Sequence, residues 1–548
     1  MGPRVFPAAQ EALWPRGNPR WARWLQDRTS PWLLSLAERG NDAFGMSAWS
    51  EGNVVQALVH GRSYLPALAQ AVAQAGSGDV VLLAGWRADP DQLLDDAGPS
   101  VAAMLIAAAH RGVLVRGLLW HSHLAALGYS LEAHRELARA VNDAGGQILL
   151  DQRVRALGSH HQKFVVVTGR TEVAFLGGID VAHARRDDVS HTGDIQARPF
   201  SRAYGPTPAW HDVQLELRGP VVRDVETVFR QRWTDPARLT RLPWHTIPAR
   251  LSGLPQSARP LPPPAPPAEP AGSCTVQLLR SYPRRHPAYP FAPHGERSVA
   301  RGYAKALTRA RRLVYVEDQY LWSREVARVF AAALRRSPSL QLIAVVPRYP
   351  DQEGWLDLPA YFLGQSAALQ SVLAAGGDRV QVVNPENEAG RPIYVHAKVC
   401  IIDDVWAAVG SANLNRRSWT HDSELTAAIV DEQLDDRHPL DPGGLGDGAR
   451  HFARELRLTL MREHLGRAAG EDKDLLDADC AADAVRYAAA RLDAWYAKGC
   501  RGPRPPGRLR SHPRHRGEQW GRRLVAPLYD LAYDPDGRPW RMRLRKQF

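Results

Sequence analysis

The 548-residue chain carries the same pattern twice. An apolar run ending in an aromatic, Val80–Trp86, recurs as Val314–Tyr320. Each is followed by a helical stretch and a second strand-like run, Val113–Leu119 and Leu340–Val346. Each half then passes an Ala-Gly-Gly turn, at 144–146 and 375–377, and ends on a His-x-Lys strand, at His161 and at His396. The first runs are offset by 234 residues and the histidines by 235. A near-constant offset over several elements marks a duplicated unit. Strands alternating with helical patterns predict an α/β layered domain in each half.

Residues 253–272 read GLPQSARPLPPPAPPAEPAG. Such a Pro-rich stretch neither pairs into a sheet nor continues a helix, so an extended linker is expected between the halves. The predicted organisation is an N-terminal extension (1–47), a first half (48–252), the linker (253–272), a second half (273–470) and a C-terminal extension (471–548), basic from 501. With 44% hydrophobic and 23% charged residues the composition is that of a globular protein, and collagen, coiled coil and wholesale disorder are excluded.

Four widely spaced cysteines, Cys274, Cys400, Cys480 and Cys500, form no CxxC pair. No disulfide framework or zinc cluster is expected from them. Cys400 lies between apolar residues of a strand and reads as an inert core thiol. The start of the chain has no apolar signal-peptide core, and no run reaches the ~18 apolar residues of a membrane span. The expected location is cytoplasmic, or peripheral at the inner membrane surface.

The net charge of +12 is uneven. Residues 501–548 hold thirteen Lys and Arg against four Asp and Glu. This tail is an expected contact for an anionic membrane surface, with nucleic acid ranked below it. Within the tail, Asp534-Pro535-Asp536-Gly537 reads as a hairpin-type turn between Leu524–Tyr533 and Arg538–Phe548, and the end is expected to dock on the body.

The second half reads His396-Ala397-Lys398, Asp403, then Gly410-Ser411-Ala412-Asn413. Side chains two apart on a strand share a face, so His396 projects with Lys398, and Ser411 with Asn413. An imidazole, an ammonium, a hydroxyl and an amide converging on one point suit a phosphate. The first half repeats this as His161-Gln162-Lys163, then Gly177-Gly178-Ile179-Asp180. Only six lysines occur in the chain, and two fall at these matching positions. A compact point charge suits a crowded phosphate pocket where a guanidinium fork does not.

On these residues the chain resembles the phospholipase D superfamily, whose hallmark is HxKx4D followed by GG or GS, present twice. The flanks Arg186-Asp187-Asp188, Trp210-His211-Asp212-Val213, Glu317-Asp318-Gln319-Tyr320 and Glu463-His464 look like its eukaryotic-like branch. One position departs: Thr168 stands where the first motif has Asp. That position lies at the far end of the strand and is expected to matter for folding more than for the reaction.

The resemblance implies two α/β/α sandwich halves around a pseudo-two-fold axis, sharing one active site within one chain, so no oligomer is required. It implies a phosphohistidine intermediate, with His161 as nucleophile and His396 as acid and base by analogy with secreted bacterial members. Lys163, Lys398, Ser411 and Asn413 would neutralise phosphate oxygens, and Gly178 and Asp180 belong to the substrate-binding set. No metal ligands and no cofactor are expected. Each imidazole needs an acceptor at its other nitrogen. Glu424, with Asp422 second, is the candidate for His396, and Asp187 or Asp188 for His161. His160 and His211 read as structural. Trp86, Trp120, Tyr320 and Trp322 lie at strand ends, as core or as pocket lining.

The expected function is hydrolysis of glycerophospholipids, releasing the head-group alcohol, with transfer to an acceptor alcohol beside it. The alternatives are cardiolipin-synthase-like phosphatidyl transfer, a nucleic-acid phosphodiesterase and a lipid-binding pseudoenzyme.

Overall fold

The structure, a computed structural model, describes residues 29–123, 131–251, 253–321, 323–351, 357–513, 529–545 and 547–548. Trp322, most of the N-terminal extension and residues 524–528 of the tail lie outside the described residues.

The first half contributes β1 (Ser50–Val59), β2 (Val80–Gly85), β3 (Leu114–Trp120), β4 (Gln147–Asp151), β5 (Phe164–Thr168), β6 (Val173–Gly177), β7 (Ala209–His211) and β8 (Val213–Arg218). The second contributes β9 (Cys274–Tyr282), β10 (Glu296–Arg297), β11 (Leu313–Asp318), β12 (Gln341–Val345), β13 (Val380–Pro385), β14 (Ile393–Val395), β15 (Lys398–Ile402), β16 (Trp406–Gly410) and β17 (Glu424–Asp431). Strand β18 (Leu509–Ser511) comes from the C-terminal extension.

Among the described residues these strands form one sixteen-stranded sheet and a separate β7–β14 pair. From the centre outward, the first half runs β1-β8-β6-β5-β2-β3-β4 and the second runs β9-β17-β16-β15-β11-β12-β13. The two orders match strand for strand, and β1 joins β9 antiparallel at the centre. In each half the three outer strands are parallel and the inner ones antiparallel. The duplication seen in sequence is thus a two-fold repeat in space.

Strand β2 (VVLLAG) is buried at every position, because helices cover both faces of the sheet. On one face the helices Val221–Trp233 and His451–Leu465 share a single core with strands of both halves. On the other, each half keeps its own core.

The linker 253–272 holds no helix or strand and lies against the first half. Arg259 and Pro262 carbonyls accept from Trp233 and Arg230. The helix Ala478–Ala497 packs into the shared core, and β18 extends the sheet beside β13. Residues 478–511, read from sequence as an extension, are therefore structurally part of the second half.

The tail does not form the expected hairpin. Residues flanking the Asp534–Gly537 turn are helical, at Tyr529–Tyr533 and Trp540–Leu544. It docks all the same: Asp534 accepts from the Arg417 backbone N–H at 2.8 Å, and the Phe548 ring lies 5.3 Å from Trp419. Among the described residues, no helix is long and apolar enough to cross a membrane.

Asp403, the last residue of the second motif, sits at the far end of β15. Its carboxylate accepts three backbone N–H groups, of Arg311, Arg312 and Leu313, at 2.7, 2.8 and 2.7 Å. It anchors the start of β11, at the opposite end of β15 from Lys398. In the first half Thr168 ends β5, and Asp79 instead accepts from Gly76 and Arg170 across the same end of the sheet. Asp403→Ala is expected to cost about 2–4 kcal/mol by orphaning buried N–H groups, read as a lower denaturation midpoint, while Thr168→Asp changes it little.

Candidate active site

Both His-x-Lys segments lie at strand entries, not within strands, and each is threaded along the opposite half. The His161 N–H donates to the Ser423 carbonyl at 2.9 Å, and the His396 N–H donates to the His211 carbonyl at 2.7 Å. The residues following those carbonyls are Glu424 and Asp212, which stand at the heads of the equivalent strands β17 and β8. This crossing places each acid behind the other half's histidine.

Glu424 Oε2 lies 3.0 Å from His161 Nδ1, and Asp212 Oδ2 lies 2.7 Å from His396 Nδ1. Glu424 therefore backs His161 and not His396. Asp187 and Asp188 do not meet His161. Asp187 accepts from the backbone of Trp210 and Gly193, and Asp188 is half-exposed with Ser190 and Arg62. Both belong to the loop leading to β7, on the His396 side. Asp212 was readable in sequence only as part of the Trp-His-Asp flank. Its signal is that an acid heads the matching strand of each half.

Asp422, the second candidate for His396, is occupied elsewhere. It binds Arg417 at 2.7 Å and accepts the Ser159 N–H at 2.8 Å. His160 bonds Ser423 Oγ at 2.6 Å and is structural.

The His161 Nδ1 also faces the Ser411 carbonyl at 3.0 Å. A carbonyl only accepts, so Nδ1 carries the hydrogen and Nε2 presents its lone pair. Ser411 itself is turned from the substrate side. Its hydroxyl donates to Glu424 Oε2 at 2.5 Å and accepts the Leu425 N–H at 3.0 Å, so it positions the acid. Asn413 is buried, and its Oδ1 has no hydrogen-bond partner among the described residues.

The lysines are nearly enclosed. Lys163 Nζ is 3.2 Å from Asp180 Oδ2. Asp180 Oδ1 accepts the backbone N–H groups of Trp86 and Arg87 at 3.0 Å each, so Asp180 orients Lys163 and does not face substrate. Lys398 Nζ donates to Gln319 Oε1 at 3.2 Å and to the His396 carbonyl. Burial pulls Lys398 down to about 8, against the pull of Asp212 and Asp318.

Burial also drives both imidazoles well below their ordinary range, and the ammonium charges of Lys163 and Lys398 add to this. Both are neutral near pH 7. Burial, reinforced by the charge of Asp422, pushes Glu424 up to about 8. The 3.0 Å contact would allow an ion pair, but burial this complete favours the neutral forms. The acids are closed off while the His161 and His396 side chains remain 13% and 7% exposed, so the site opens at the imidazoles.

Aromatic rings border that opening. Trp86 stacks on Trp120 and meets His161 edge-on, and Trp210 lies 4.9 Å from His396. Gly178 stands behind the second pair: a Cβ there would fall 2.1 Å from Asp212 Oδ1. Gly178 thus contributes room and not a contact. Gly178→Ala is expected to push Asp212 off His396, lowering turnover about 100-fold and stability by about 1–3 kcal/mol, read by steady-state rates beside thermal unfolding.

The family model described as Phospholipase D matches residues 73–326 and 378–530, and one described as Cardiolipin synthase, PLD-like domain, matches 303–438. The chain is 26% identical over 438 residues to Phospholipase D alpha 1 of Brassica oleracea var. capitata, covering 59% of this chain and 51% of the relative. It is 25% identical over 547 residues to Phospholipase D1 of Schizosaccharomyces pombe, covering 81% and 38%. The chain thus spans about half the length, or less, of these relatives. Among solved structures, phosphatidylserine synthase of Haemophilus influenzae aligns at 12% identity with a TM-score of 0.47, over 69% of this chain and 82% of that one. A phospholipase D family member of Salmonella typhimurium aligns at 19% and 0.21, over 29% and 84%. With the first family model running through most of both halves, the chain belongs to the phospholipase D family.

Proposed function

We propose that the protein cleaves the head-group phosphodiester of glycerophospholipids, passing the phosphatidyl group through His161 to water or to an acceptor alcohol. The observation that supports this best is the pair of neutral imidazoles, each backed by a carboxyl group from the opposite half and flanked by a buried lysine.

In this reading the His161 Nε2 lone pair attacks phosphorus. The bond from phosphorus to the head-group oxygen breaks, and that oxygen takes the proton from His396 Nε2 while the Asp212 carboxyl, which burial favours in its protonated form, passes its own proton to Nδ1. In the second step His396 Nε2 removes a proton from water or an alcohol, whose oxygen attacks phosphorus as the P–N bond breaks. Lys163 and Lys398 offset charge on the equatorial oxygens, with Asn413 as a neutral donor. The carbonyl of Ser411 fixes the His161 tautomer, which favours His161 over His396 as nucleophile.

The chain would meet its substrate at a membrane surface. A cleft of about 620 Å³ is lined by Arg155, Arg238, Arg241 and Arg284 of the body and by Arg538 and Arg543 of the tail. Such a cationic cleft suits anionic lipid head groups.

The match over 303–438 favours phosphatidyl transfer as a second reading. One experiment separates the two: vesicles of phosphatidylcholine, phosphatidylethanolamine and phosphatidylglycerol are incubated with ethanol or glycerol present. Phosphatidic acid as the main product supports hydrolysis, and phosphatidyl-alcohol as the main product supports transfer. Neither product from any head group would sink both.

A further inference from the structure

Behind the His396–Asp212 pair lies a second concentration of chemistry that this reaction does not use. His60, His191 and His211 of the first half surround Glu463, from the helix His451–Leu465 of the second. His60 Nε2 is 2.8 Å from Glu463 Oε2, and His191 Nε2 is 2.9 Å from Glu463 Oε1. His211 Nδ1 is 3.2 Å from Glu463 Oε1. The donor atoms lie within 4.8 Å of one another, and all four side chains are 7% exposed or less. We propose that His60, His191, His211 and Glu463 bind one divalent transition-metal ion, with the donor preferences of zinc, that clamps the two halves together behind the catalytic pair.

Three observations carry this beyond a buried hydrogen-bond network. First, the His211 ring is fully buried with its Nδ1 aimed at Glu463 at 3.2 Å, so one carboxylate receives all three imidazoles. Three imidazoles gathered on one carboxylate are a donor set that a first-row transition metal takes. Second, the spacing is close to a coordination sphere. Donors at about 2.0–2.1 Å from a tetrahedral ion stand about 3.4 Å apart. The observed separations from Glu463 need to open by about 0.2–0.6 Å, and donor pairs as far as 4.8 Å apart need to close toward the same value.

Third, the outer partners are those of a metal site. His211 bonds through its other nitrogen to Glu317 Oε2 at 2.6 Å, and Glu317 is itself held by Tyr315 at 2.5 Å and His464 at 2.8 Å. The other nitrogen of His191 lies 3.5 Å from Asp187 Oδ2. Carboxylates behind ligating imidazoles fix the tautomer and raise the basicity of the metal-facing nitrogen. Three imidazoles and a carboxylate favour zinc or a neighbouring first-row ion over calcium or magnesium.

The clamp would be structural. The His211 carbonyl holds the His396 N–H, and the His60 N–H donates to the Asp212 carbonyl at 2.8 Å. An ion at this point would fix the backbone on both sides of Asp212, making its ligands positioning residues. No short ligand spacing marks these residues in the sequence, where 403 residues separate His60 from Glu463.

The test reads metal, not turnover, so its outcome is independent of the proposed reaction. Full-length protein is stripped with chelator and titrated with Co2+, then with Zn2+, and bound zinc is counted by elemental analysis after gel filtration. The expected result is one Co2+ per chain with visible bands of tetrahedral intensity, displaced by one zinc, and a thermal midpoint higher by several degrees. His191→Ala and Glu463→Gln should lose the bands, while His451→Ala, at the exposed start of the same helix, keeps them. Wild-type protein that retains no zinc and develops no cobalt bands would overturn the proposal even if the variants fail to fold. So would His191→Ala at full stoichiometry.

Discussion

Replacing His161 by Ala is expected to lower turnover of phospholipid by at least ~10⁴-fold, with no change in the fold. The side chain lies at the mouth of the site, and the Glu424 left behind it is favoured in its neutral form by burial, so thermal unfolding should shift little. His396→Ala should cost as much with a natural head group, whose alkoxide is a poor leaving group. The two variants then part company on an activated diester. With a p-nitrophenyl leaving group no proton is needed for the first step, so His396→Ala should recover a burst of one nitrophenol per chain. His161→Ala should not, because the remaining imidazole, His396, stands on the leaving-group side with its proton on Nε2. Lys163→Ala and Lys398→Ala should each lose about 10²–10³-fold, mainly in kcat, since the charge they offset grows in the transition state. Equal bursts from both histidine variants would contradict the assigned roles.

Glu424→Gln is expected to reduce turnover about 10²–10³-fold at pH 9 and to stabilise the protein at the same pH. Attack by Nε2 leaves the His161 ring positive, with its Nδ1–H facing Glu424. A carboxylate stabilises that cation and a carboxyl does not. Burial pushes Glu424 up to about 8, so the rate should rise as pH increases through 8. The stability effect has the opposite sign. Between the ordinary carboxyl range and pH 8 the folded state binds one proton more than the unfolded chain, so raising the pH through that window favours unfolding. Glutamine is neutral throughout. It should flatten the limb near pH 8 and raise the thermal midpoint above wild type on the alkaline side. Rate profiles and thermal scans of both proteins from pH 6 to 10 check this. A variant with an unaltered pH limb would place the titrating group elsewhere.

The repeat, its strand alternation and the His-x-Lys pairs were legible because they are local. Val80–Trp86 and Val314–Tyr320 are apolar enough to predict buried strands, and they form β2 and β11. The partners of the histidines were not legible. Spacing along the chain suggested that Glu424 serves His396, its neighbour in sequence. Packing about the two-fold axis gives Glu424 to His161 and Asp212 to His396 instead. No periodicity within one half encodes which acid faces across. Ser411 and Asp180 lie in the expected places, but their polar atoms are spent on Glu424 and Lys163. The composition of the Asp534–Gly537 turn fits a hairpin, while contacts of Asp530 and Asp534 with Arg416 and Arg417 dock the helical preceding flank on the body. Thr168 is understandable only in space, where its counterpart Asp403 proves to be a backbone anchor.

The central claim is a covalent passage through His161. In His396→Ala the second step lacks its base, so the intermediate formed from a p-nitrophenyl phosphatidyl ester should accumulate. Rapid quenching under alkaline conditions, digestion and mass spectrometry should find the phosphatidyl group on the peptide containing His161, at close to one per chain. Its absence there, or its appearance on His396 in the His161→Ala protein, would contradict the mechanism.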